Sequence, residues 1–391
     1  MNALLPIAEA QARLLARVQP VSPETLPLAA ALHRYAAADA HALRTQPDAD
    51  LSAMDGYAIR FADLPGPFTR IGESAAGRPF GTPLGPRQTA RIFTGAALPD
   101  GADSVLVQEE ATPDGVTIRL TGEGPLRPGG NVRRRGLDFA AGDPLIRRGD
   151  RLTPARLAVA AIAGLTQLSV ARAVRVAIAA TGDELGTLGT LDALPESNRL
   201  MLAAQLAGWP VEIVDMGILS DDLTAMRDAF AAVRADLIVT TGGASVGDHD
   251  LVRPALEAAG GTIDFWRIAL RPGKPMLAGR LGDAHFLGLP GNPVSAFVTA
   301  ELFVKPLIAA LAGAADPLPR TLGARLGEPL PANGPRTDYL RAQLTDGRVS
   351  VAAIQDSSML LTLARANCLV VRPPHAPPAA VDEIVDILPL A

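Results

Sequence analysis

Residues 174–185 read Val-Arg-Val-Ala-Ile-Ala-Ala-Thr-Gly-Asp-Glu-Leu, a short apolar run that ends in a glycine and two acids. Similar apolar runs, each followed by a loop rich in glycine or acid, occur at 211–216, 236–240 and 285–289. Helix-like stretches alternate with these runs, at 199–207, 222–234, 251–259 and from 294 to about 312. Strands and helices that alternate over this length predict a mostly parallel sheet with helices on both faces.

The flanking segments have different patterns. Apolar residues on one face predict a helix over 6–19, and residues 151–170 have a helical pattern as well. Between them, residues 44–140 carry short apolar runs separated by Gly, Pro and Asp clusters, which is typical of an all-β unit. Residues 319–391 lose the helices again and predict a small β-barrel-like domain. The run 262–270 predicts a strand, whose direction stays open.

The predicted architecture is multi-domain, α/β plus β, with a mostly parallel three-layer α/β domain. The simplest division places one helical domain around a β insertion. The predicted domains are a helical linking or dimer domain (1–43 and 141–170), an inserted all-β domain (44–140), an α/β domain (171–318) and a C-terminal β domain (319–391).

Composition excludes several classes of protein. The 391 residues carry a net charge of −5, which argues against a general nucleic-acid binder. The single cysteine excludes an intramolecular disulfide and a cysteine-rich metal site. The apolar run 157–171 is too short for the roughly 20 residues that cross a bilayer, and no signal peptide precedes it. We therefore expect a cytoplasmic protein with no membrane contact.

The loops after the predicted strands are the first candidate site. Carboxyl ends of parallel strands meet at one sheet edge, so loops 181–185, 217–222, 241–250 and 289–293 should converge. One acidic loop alone is more often a solvated turn or an N-cap, but several on one edge favour a ligand site. The residue types fit a phosphorylated ligand: glycines at 242, 243 and 247 for close backbone approach, acids at 184, 221, 248 and 250 for Mg²⁺, and a helix start at 294–295 for an anion.

A basic segment adds to this candidate site. Arg267, Arg271 and Lys274 follow one another along 266–275, and Lys274 is one of only two lysines in the chain. Cations beside a carboxylate-bound metal ion suit a polyanion such as a pyrophosphate or an oxyanion.

Common nucleotide and hydrolase motifs do not fit. A dinucleotide fingerprint that starts at Gly242 would need glycine where Ala244 stands, and Pro275 after Lys274 rules out a Walker loop. Residues 243–247 match the Gly-x-Ser-x-Gly nucleophile elbow. That elbow needs a helix directly after the serine, and residues 247–250 make a poor helix start, so a serine hydrolase is disfavoured.

Three further motifs lie in the β insertion. Asp55 sits in an Asp-Gly turn, Thr94 precedes another glycine, and residues 133–138 place three arginines before a glycine and Asp138. Taken singly, the first two are ordinary turns. The arginine run suits phosphate recognition, but a solvated basic edge explains it equally well.

Taken in order, the motifs resemble one known family. They read Ser52-Ala-Met-Asp-Gly-Tyr57, Thr94-Gly-Ala96, Arg133-Arg-Arg-Gly-Leu-Asp138, Thr181-Gly-Asp-Glu-Leu185, Gly242-Gly-Ala-Ser-Val-Gly-Asp-His-Asp250, Arg271-Pro-Gly-Lys-Pro275 and Leu289-Pro-Gly-Asn-Pro-Val-Ser295. Over essentially its whole length the chain resembles the MoeA family of molybdopterin molybdenumtransferases, and it is similar to the C-terminal domain of gephyrin.

The resemblance implies a fold, a reaction and a partner subunit. It implies four subdomains in an elongated homodimer, with the β insertion of one subunit facing the α/β domain of the other. It implies insertion of molybdate into adenylylated molybdopterin with Mg²⁺, releasing AMP and molybdenum cofactor. A molybdopterin adenylyltransferase and cofactor-accepting molybdoenzymes are the implied protein partners.

The resemblance also implies site residues. The implied catalytic residues are Asp55, Thr94, Asp138, Glu184, Asp221, Asp250 and Lys274, of which Glu184, Asp221 and Asp250 would bind the metal. The implied substrate-binding residues are Gly242, Gly243, Ser245, Gly247, Arg267, Arg271, Pro290, Asn292, Pro293, Ser295, Arg341 and Ser357. Arg267 and Arg271 stand where the family has lysines, which keeps the charge but changes its geometry.

Two other functions are compatible with such a chain. One is a non-catalytic molybdopterin-binding carrier or scaffold, which the retained acids disfavour. The other is a nucleotide hydrolase on the same α/β domain, which the β insertion disfavours.

Overall fold

A computed structural model of the chain describes residues 4–189, 192–243 and 251–390. Its first elements are α1 (Ile7–Leu15), β1 (Pro23–Pro27) and β2 (Ala40–His41). Helix α1 is shorter than the predicted 6–19. It buries Ala10 and Leu14, and the Gln11 side chain donates to the Leu302 carbonyl at 2.8 Å, which ties α1 to the main core.

The inserted region is built from strands, as predicted. They are β3 (Leu51–Ser52), β4 (Gly56–Ile59), β5 (Phe68–Ser74), β6 (Gln88–Ile92), β7 (Ser104–Val107), β8 (Ala111–Asp114), β9 (Thr117–Leu120) and β10 (Val132–Arg133), with short 3₁₀ turns at 61–63 and 108–110. Six of them form one sheet in the order β7-β4-β6-β5-β9-β8, and β3 pairs with β10. The alternating apolar side chains of β4, β6 and β7 fill its core.

The chain then returns to the first region through β11 (Pro144–Ile146), α2 (Pro154–Ile162) and β12 (Gln167–Ala171). The predicted helix over 151–170 is therefore wrong in its second half. Gly164, at φ +90°, follows the end of α2. Beyond it, Leu168 and Val170 are buried in alternation along β12, which pairs antiparallel with β1. An alternating pattern of this kind belongs to a strand.

The α/β region confirms the predicted sheet. Its strands are β13 (Val174–Thr181), β14 (Leu185–Gly186), β15 (Leu194–Pro195), β16 (Val211–Leu219), β17 (Leu237–Thr241), β18 (Thr262–Trp266), β19 (Leu270–Arg271), β20 (Leu277–Leu281) and β21 (Ala284–Leu289). The six-stranded sheet has the order β16-β13-β17-β21-β20-β18. The first four strands are parallel, and β20 runs antiparallel to both of its neighbours, β21 and β18. The predicted strand at 262–270 therefore points the same way as the four parallel strands, although it pairs antiparallel with β20.

Helices cover both faces of this sheet. They are α3 (Asn198–Gln205), α4 (Leu223–Ala232), α5 (Val252–Ala258), α6 (Pro293–Thr299) and α7 (Lys305–Leu311), with a π-helical turn at 300–304 between the last two. Side chains of β13 alternate between the two faces of the sheet. Val176 and Ile178 pack in the apolar core with α3 and α6, and Ala177 packs in the core with α4 and α5.

In the described part of the chain, one helical stretch is long and apolar enough to cross a membrane. It is the 19-residue run Pro293–Leu311, and 83% of it is buried inside the protein. The run therefore packs as a core helix of this fold.

The C-terminal region is a closed barrel. Its elements are β22 (Leu322–Leu326), β23 (Thr337–Thr345), β24 (Arg348–Val351), α8 (Leu360–Arg365), β25 (Cys368–Arg372) and β26 (Ile384–Pro389). Five strands close in the order β23-β24-β22-β26-β25 and back to β23, and β19 of the α/β region joins the edge of β23. The barrel confirms the predicted β fold, and α8 corrects the expectation that no helix occurs after residue 319.

Candidate active site

The four predicted loops meet at one edge of the sheet. Strands β16, β13, β17 and β21 are neighbours and parallel, so the loops that follow them leave from the same side. The loops also touch one another: the Gly182 N–H donates to the Leu219 carbonyl at 3.4 Å, and the Gly242 N–H donates to the Leu289 carbonyl at 3.2 Å. This is the edge at which open parallel sheets bind ligands.

At Gly242, the loop after β17 comes very close to the loop after β13. The φ of Gly242 is +91°, and a Cβ at this position would lie 2.5 Å from the Thr181 carbonyl oxygen. Only glycine fits both the left-handed conformation and the short distance. Gly242 thereby keeps the β13 and β17 loops in contact.

Two acids lie together at the ends of β13 and β16. The Asp183 N–H donates to the Asp221 carboxylate at 3.4 Å, and the Asp221 N–H donates to the Asp183 carboxylate at 3.0 Å. Both side chains are exposed, and so is Glu184. The edge therefore presents adjacent carboxylate oxygens to solvent, which are hard donors of the kind Mg²⁺ prefers.

Within the described residues, no group of three or more His, Cys, Asp or Glu side chains is arranged to hold a metal ion. The third predicted ligand, Asp250, lies outside the described residues, as do the predicted binding residues Ser245 and Gly247. Mg²⁺ commonly uses only one or two carboxylates together with substrate phosphates, and the Asp183–Asp221 pair fits that pattern.

The loop 289–293 connects three parts of the molecule. The Asn198 amide donates to the Gly291 carbonyl at 2.7 Å from the first turn of α3. The Asn292 amide donates to the Ser357 hydroxyl at 3.0 Å, and the Val294 N–H donates to the Ser357 carbonyl at 3.2 Å. The barrel thus reaches this edge of the sheet through Ser357.

This contact changes the expectation for the helix start. The Val294 N–H is already used by the Ser357 carbonyl, and the Ser295 side chain is buried at the beginning of α6, which Pro290 and Pro293 frame. The Val294 N–H is therefore engaged by the protein itself and is not open to an anion in this structure, whereas the role of Ser295 stays a prediction.

The basic segment lies between the sheet and the barrel. Arg271 stands on β19, in register with Asp338 of β23, and its guanidinium lies 3.4 Å from the Asp338 carboxylate. Burial raises the pKa of Asp338 in spite of Arg271. The backbone of Arg267, the first cation of this segment, is in the left-handed region, with a φ of +87°. Lys274 is exposed, and its ammonium has no hydrogen-bond or ion-pair partner among the described side chains and carbonyls.

Arg341 differs from the expectation of a substrate contact. Its side chain is completely buried in the barrel. One guanidinium nitrogen donates to the carbonyls of Ile354 and Asp356, at 3.2 and 3.0 Å, whereas Nε and Nη1 have no partner. Burial lowers the pKa of this guanidinium. In this structure Arg341 supports the loop that leads to Ser357.

The β insertion holds a second group of predicted residues. The Asp55 carboxylate accepts from the Thr94 N–H at 2.7 Å and from the Thr94 hydroxyl at 2.9 Å. These bonds, the backbone one first, lower the pKa of Asp55. Pairing of β10 with β3 brings the arginine run beside the Ser52 turn, where Arg134 pairs with Asp50 and Arg135 donates to it through its backbone. Asp138 is exposed in the same region.

Within one chain, the two groups of residues are not joined. Among the described residues, no hydrogen bond or ion pair links residues 44–140 to residues 171–318.

Sequence reasoning missed two residues at the edge. The sequence motif does not distinguish Asp183 from the rest of its loop, although its N–H and its carboxylate both form hydrogen bonds with Asp221. Asn198 was not selected either, yet it holds the Gly291 loop, and its Oδ1 is buried without a partner. The polar triplet 196–198 just before a helix was the available signal for Asn198.

Three consecutive parts of the chain match descriptions of known families. Residues 5–164 match the MoeA N-terminal region (domain I and II), residues 177–310 a probable molybdopterin binding domain, and residues 323–390 the MoeA C-terminal region (domain IV).

Whole-chain relatives give the same result. The chain is 35% identical to the molybdopterin molybdenumtransferase of Haemophilus influenzae, over 99% of this chain and 98% of the relative. It is 34% identical to the protein of that name from Nostoc sp., over 90% and 85%. A crystal structure of the molybdopterin biosynthesis MoeA protein of Pyrococcus horikoshii matches with a TM-score of 0.86 at 26% identity, covering 99% of this chain and 100% of that one.

Proposed function

The chain belongs to the MoeA family, and we propose that it inserts molybdate into adenylylated molybdopterin with Mg²⁺, releasing AMP and molybdenum cofactor. It is a transferase of molybdenum cofactor biosynthesis, as its whole-length relatives are. The observation that carries the finer proposal is the sheet edge, where the glycine loop, the acid pair and the 289–293 loop converge.

The acids would hold Mg²⁺ on the pyrophosphate that links AMP to the pterin. Asp221 and its bonded neighbour Asp183 supply exposed carboxylates, and Glu184 follows in the same loop. We assign Glu184, Asp221 and Asp250 as the metal ligands. When bound, Mg²⁺ would act as a Lewis acid on the phosphate oxygens. Gly243, in the loop that follows β17, has no side chain, which would let the backbone approach the same phosphates.

Cations on the barrel side would hold molybdate near the dithiolene of the pterin. Lys274 is exposed and unpaired among the described side chains, and Arg271 keeps more than half of its side chain exposed despite its contact with Asp338. Preorganised positive charge stabilises negative charge that develops on a leaving phosphate. Metal insertion and pyrophosphate cleavage would therefore be coupled at this edge.

We propose that the complete site forms between two subunits of a homodimer. The partner subunit would supply Asp55, Thr94 and Asp138 across the interface, since no hydrogen bond or ion pair links the β insertion to the α/β region among the described residues of one chain. Upstream, a molybdopterin adenylyltransferase would provide the substrate. Downstream, cytoplasmic molybdoenzymes would accept the cofactor.

Reconstitution tests this function. The purified chain is incubated with adenylylated molybdopterin, Mg²⁺ and molybdate, and the product is added to a cofactor-free molybdoenzyme. We expect that enzyme to become active only when the chain and molybdate are both present. Equal activation without the chain would contradict the proposal.

A further inference from the structure

A cavity of about 290 Å³ lies beside the sheet edge, lined by residues that have no role in the site described above. It opens over β16, the outermost strand of the sheet. Helix α3 packs on β13 through Leu202 and Leu206, which join the core with Ile178. The helix does not extend over β16, so Ile213 of that strand stays partly exposed and forms part of the cavity wall.

The walls are apolar and unusually exposed. Leu188 is 65% exposed and Leu200 is 60% exposed, and both line the cavity together with Ile213 and the buried Ile178. Apolar walls with a few fixed polar groups are typical of small-molecule sites. A flat ring between Leu188 and Leu200 would cover both side chains.

Besides Thr187, the polar groups of the cavity are two carboxylates joined by one arginine. Glu196 is buried, and its oxygens accept from the Arg199 N–H and from Arg199 Nε, both at 2.9 Å. Arg199 also bonds Asp215 at Oδ1, and the Gly217 N–H donates to the same oxygen at 2.9 Å. Oδ2 of Asp215 accepts no hydrogen bond from the described residues. Asp215 thus has an acceptor left for a ligand.

The cavity is also close to the groups proposed to hold pyrophosphate. Leu188 comes four residues after Glu184, and β16 leads from Asp215 towards Asp221. Glu196 stands two residues before Asn198, which holds the Gly291 loop. A ligand that spans the edge could therefore place one end here.

We propose that this cavity is the subsite for the pterin ring of the substrate, an inference that rests on the proposed function. The pyrimidine part of a pterin carries an amino group and a ring N–H side by side, so a donor faces Asp215 Oδ2 and no ring acceptor lies between these two groups. Adenine, at the other end of the substrate, has its amino group next to ring acceptors, which a carboxylate repels. Asp215 therefore selects the pterin, while Leu188, Leu200 and Ile213 enclose its faces.

Fluorescence titration of the full chain with 6-methylpterin, without molybdate, tests this subsite. Asp215→Asn should weaken pterin binding roughly tenfold or more, because it replaces a charged acceptor. Its matched control is Asp228→Asn; Asp228 is an exposed acid of α4 whose ion-pair partner is its neighbour Arg227. AMP binding, measured by calorimetry, should be unchanged in both variants.

A second pair of variants fills the space without changing charge. Ala203 lines the cavity and Ala204, its neighbour on α3, is exposed outside it. Ala203→Phe should abolish pterin binding, whereas Ala204→Phe should retain it. Circular dichroism and melting curves establish that each variant is folded.

The possible results separate this inference from the proposed function. Loss of pterin binding in Asp215→Asn and Ala203→Phe, with AMP binding retained, supports the subsite even if the wild-type chain fails to release AMP. No pterin binding by the wild-type chain, equal pterin binding by all variants, or loss of AMP binding instead would overturn it, whatever the turnover assay shows.

Discussion

At the scale of single residues, substitution of Glu184 separates the effect of its charge from the effect of its shape. Its carboxylate lies over Gly182, so close that a Cβ on that glycine would meet Oε2 at 2.5 Å. Glutamine keeps this shape and removes the charge. We expect Glu184→Gln to lower molybdate-dependent AMP release by at least about 100-fold, because a group that handles charge in the transition state contributes on that scale.

Glu212→Gln is the matched control for that variant. Glu212 is an exposed acid at the amino end of β16 that pairs with Arg175, at the opposite end of the strands from the site. Its AMP release should equal that of the wild-type chain, and both variants should melt at the wild-type temperature. Unchanged turnover in Glu184→Gln would remove this residue from the site.

The Asp55–Thr94 contact predicts a pH effect. Thr94 donates to Asp55 through its N–H and its hydroxyl, and both bonds lower the pKa of Asp55. A carboxylate with a lowered pKa stays ionised as the pH falls and loses its charge only at the lowered value. Thr94→Val removes the hydroxyl bond but keeps the N–H, so the pKa of Asp55 should rise part of the way back.

The measurement is the acid limb of the pH profile of AMP release. It should move to higher pH in Thr94→Val, while the activity at neutral pH changes less. An acid limb at the wild-type position would show that ionised Asp55 does not limit the reaction.

At the scale of elements, contact between two strand-end loops depends on Gly242. Alanine there would have a φ of +91° and would meet the Thr181 carbonyl at 2.5 Å. Gly282, in the β20–β21 turn, also has a positive φ, but nothing lies within 4 Å of its Cβ position. We expect Gly282→Ala to cost about 1 kcal/mol of unfolding free energy and Gly242→Ala at least about 2 kcal/mol, with loss of activity.

Urea unfolding of the two variants, followed by circular dichroism, checks this prediction. Equal losses of stability would mean that the loops can separate without cost. That result would contradict the role assigned to the glycine.

The sequence predicted elements well where the chain had one strong pattern. The alternating apolar runs and helices gave the parallel sheet, and the wide apolar stripe gave the long helix at 293–311. The prediction was wrong at 167–171. These residues follow a helix without a clear break in the sequence pattern, but they form a strand that pairs with β1. The partner strand lies about 140 residues earlier, and pairing over such a separation leaves no local signal.

The candidate site was predictable to a similar degree. Parallel topology alone brought four loops together, and the bond between Asp55 and Thr94 joins two of the seven motifs on which the resemblance rests. Burial could not be foreseen: Arg341 faces the barrel interior, and Ser357 occupies the helix start expected to be open. Both depend on how the barrel docks on the α/β region.

At the scale of the whole molecule, the proposed site combines the β insertion with the sheet edge, although no hydrogen bond or ion pair joins them among the described residues of one chain. In a twofold dimer, each site would combine Asp55 of one subunit with Glu184 of the other. Asp55→Asn and Glu184→Gln chains should each be inactive alone. Mixed and reassembled in equal amounts, they should regain roughly a quarter of wild-type activity, because half of the dimers carry one intact site of two.

Recovery on mixing, followed by AMP release, is the readout, and pull-down of one affinity-tagged variant verifies that the subunits have exchanged. If complete exchange of two inactive variants restores no activity, both residues act in the same subunit. In that case the proposed intersubunit site would be wrong.

The most direct measurement for the molecule as a whole is AMP release from adenylylated molybdopterin with Mg²⁺, in the presence and absence of molybdate. We predict release that depends on molybdate and runs in step with the appearance of active cofactor. Release at the same rate without molybdate would indicate a nucleotide hydrolase, and tight binding without release would indicate a carrier. Either result would contradict the proposed molybdate insertion.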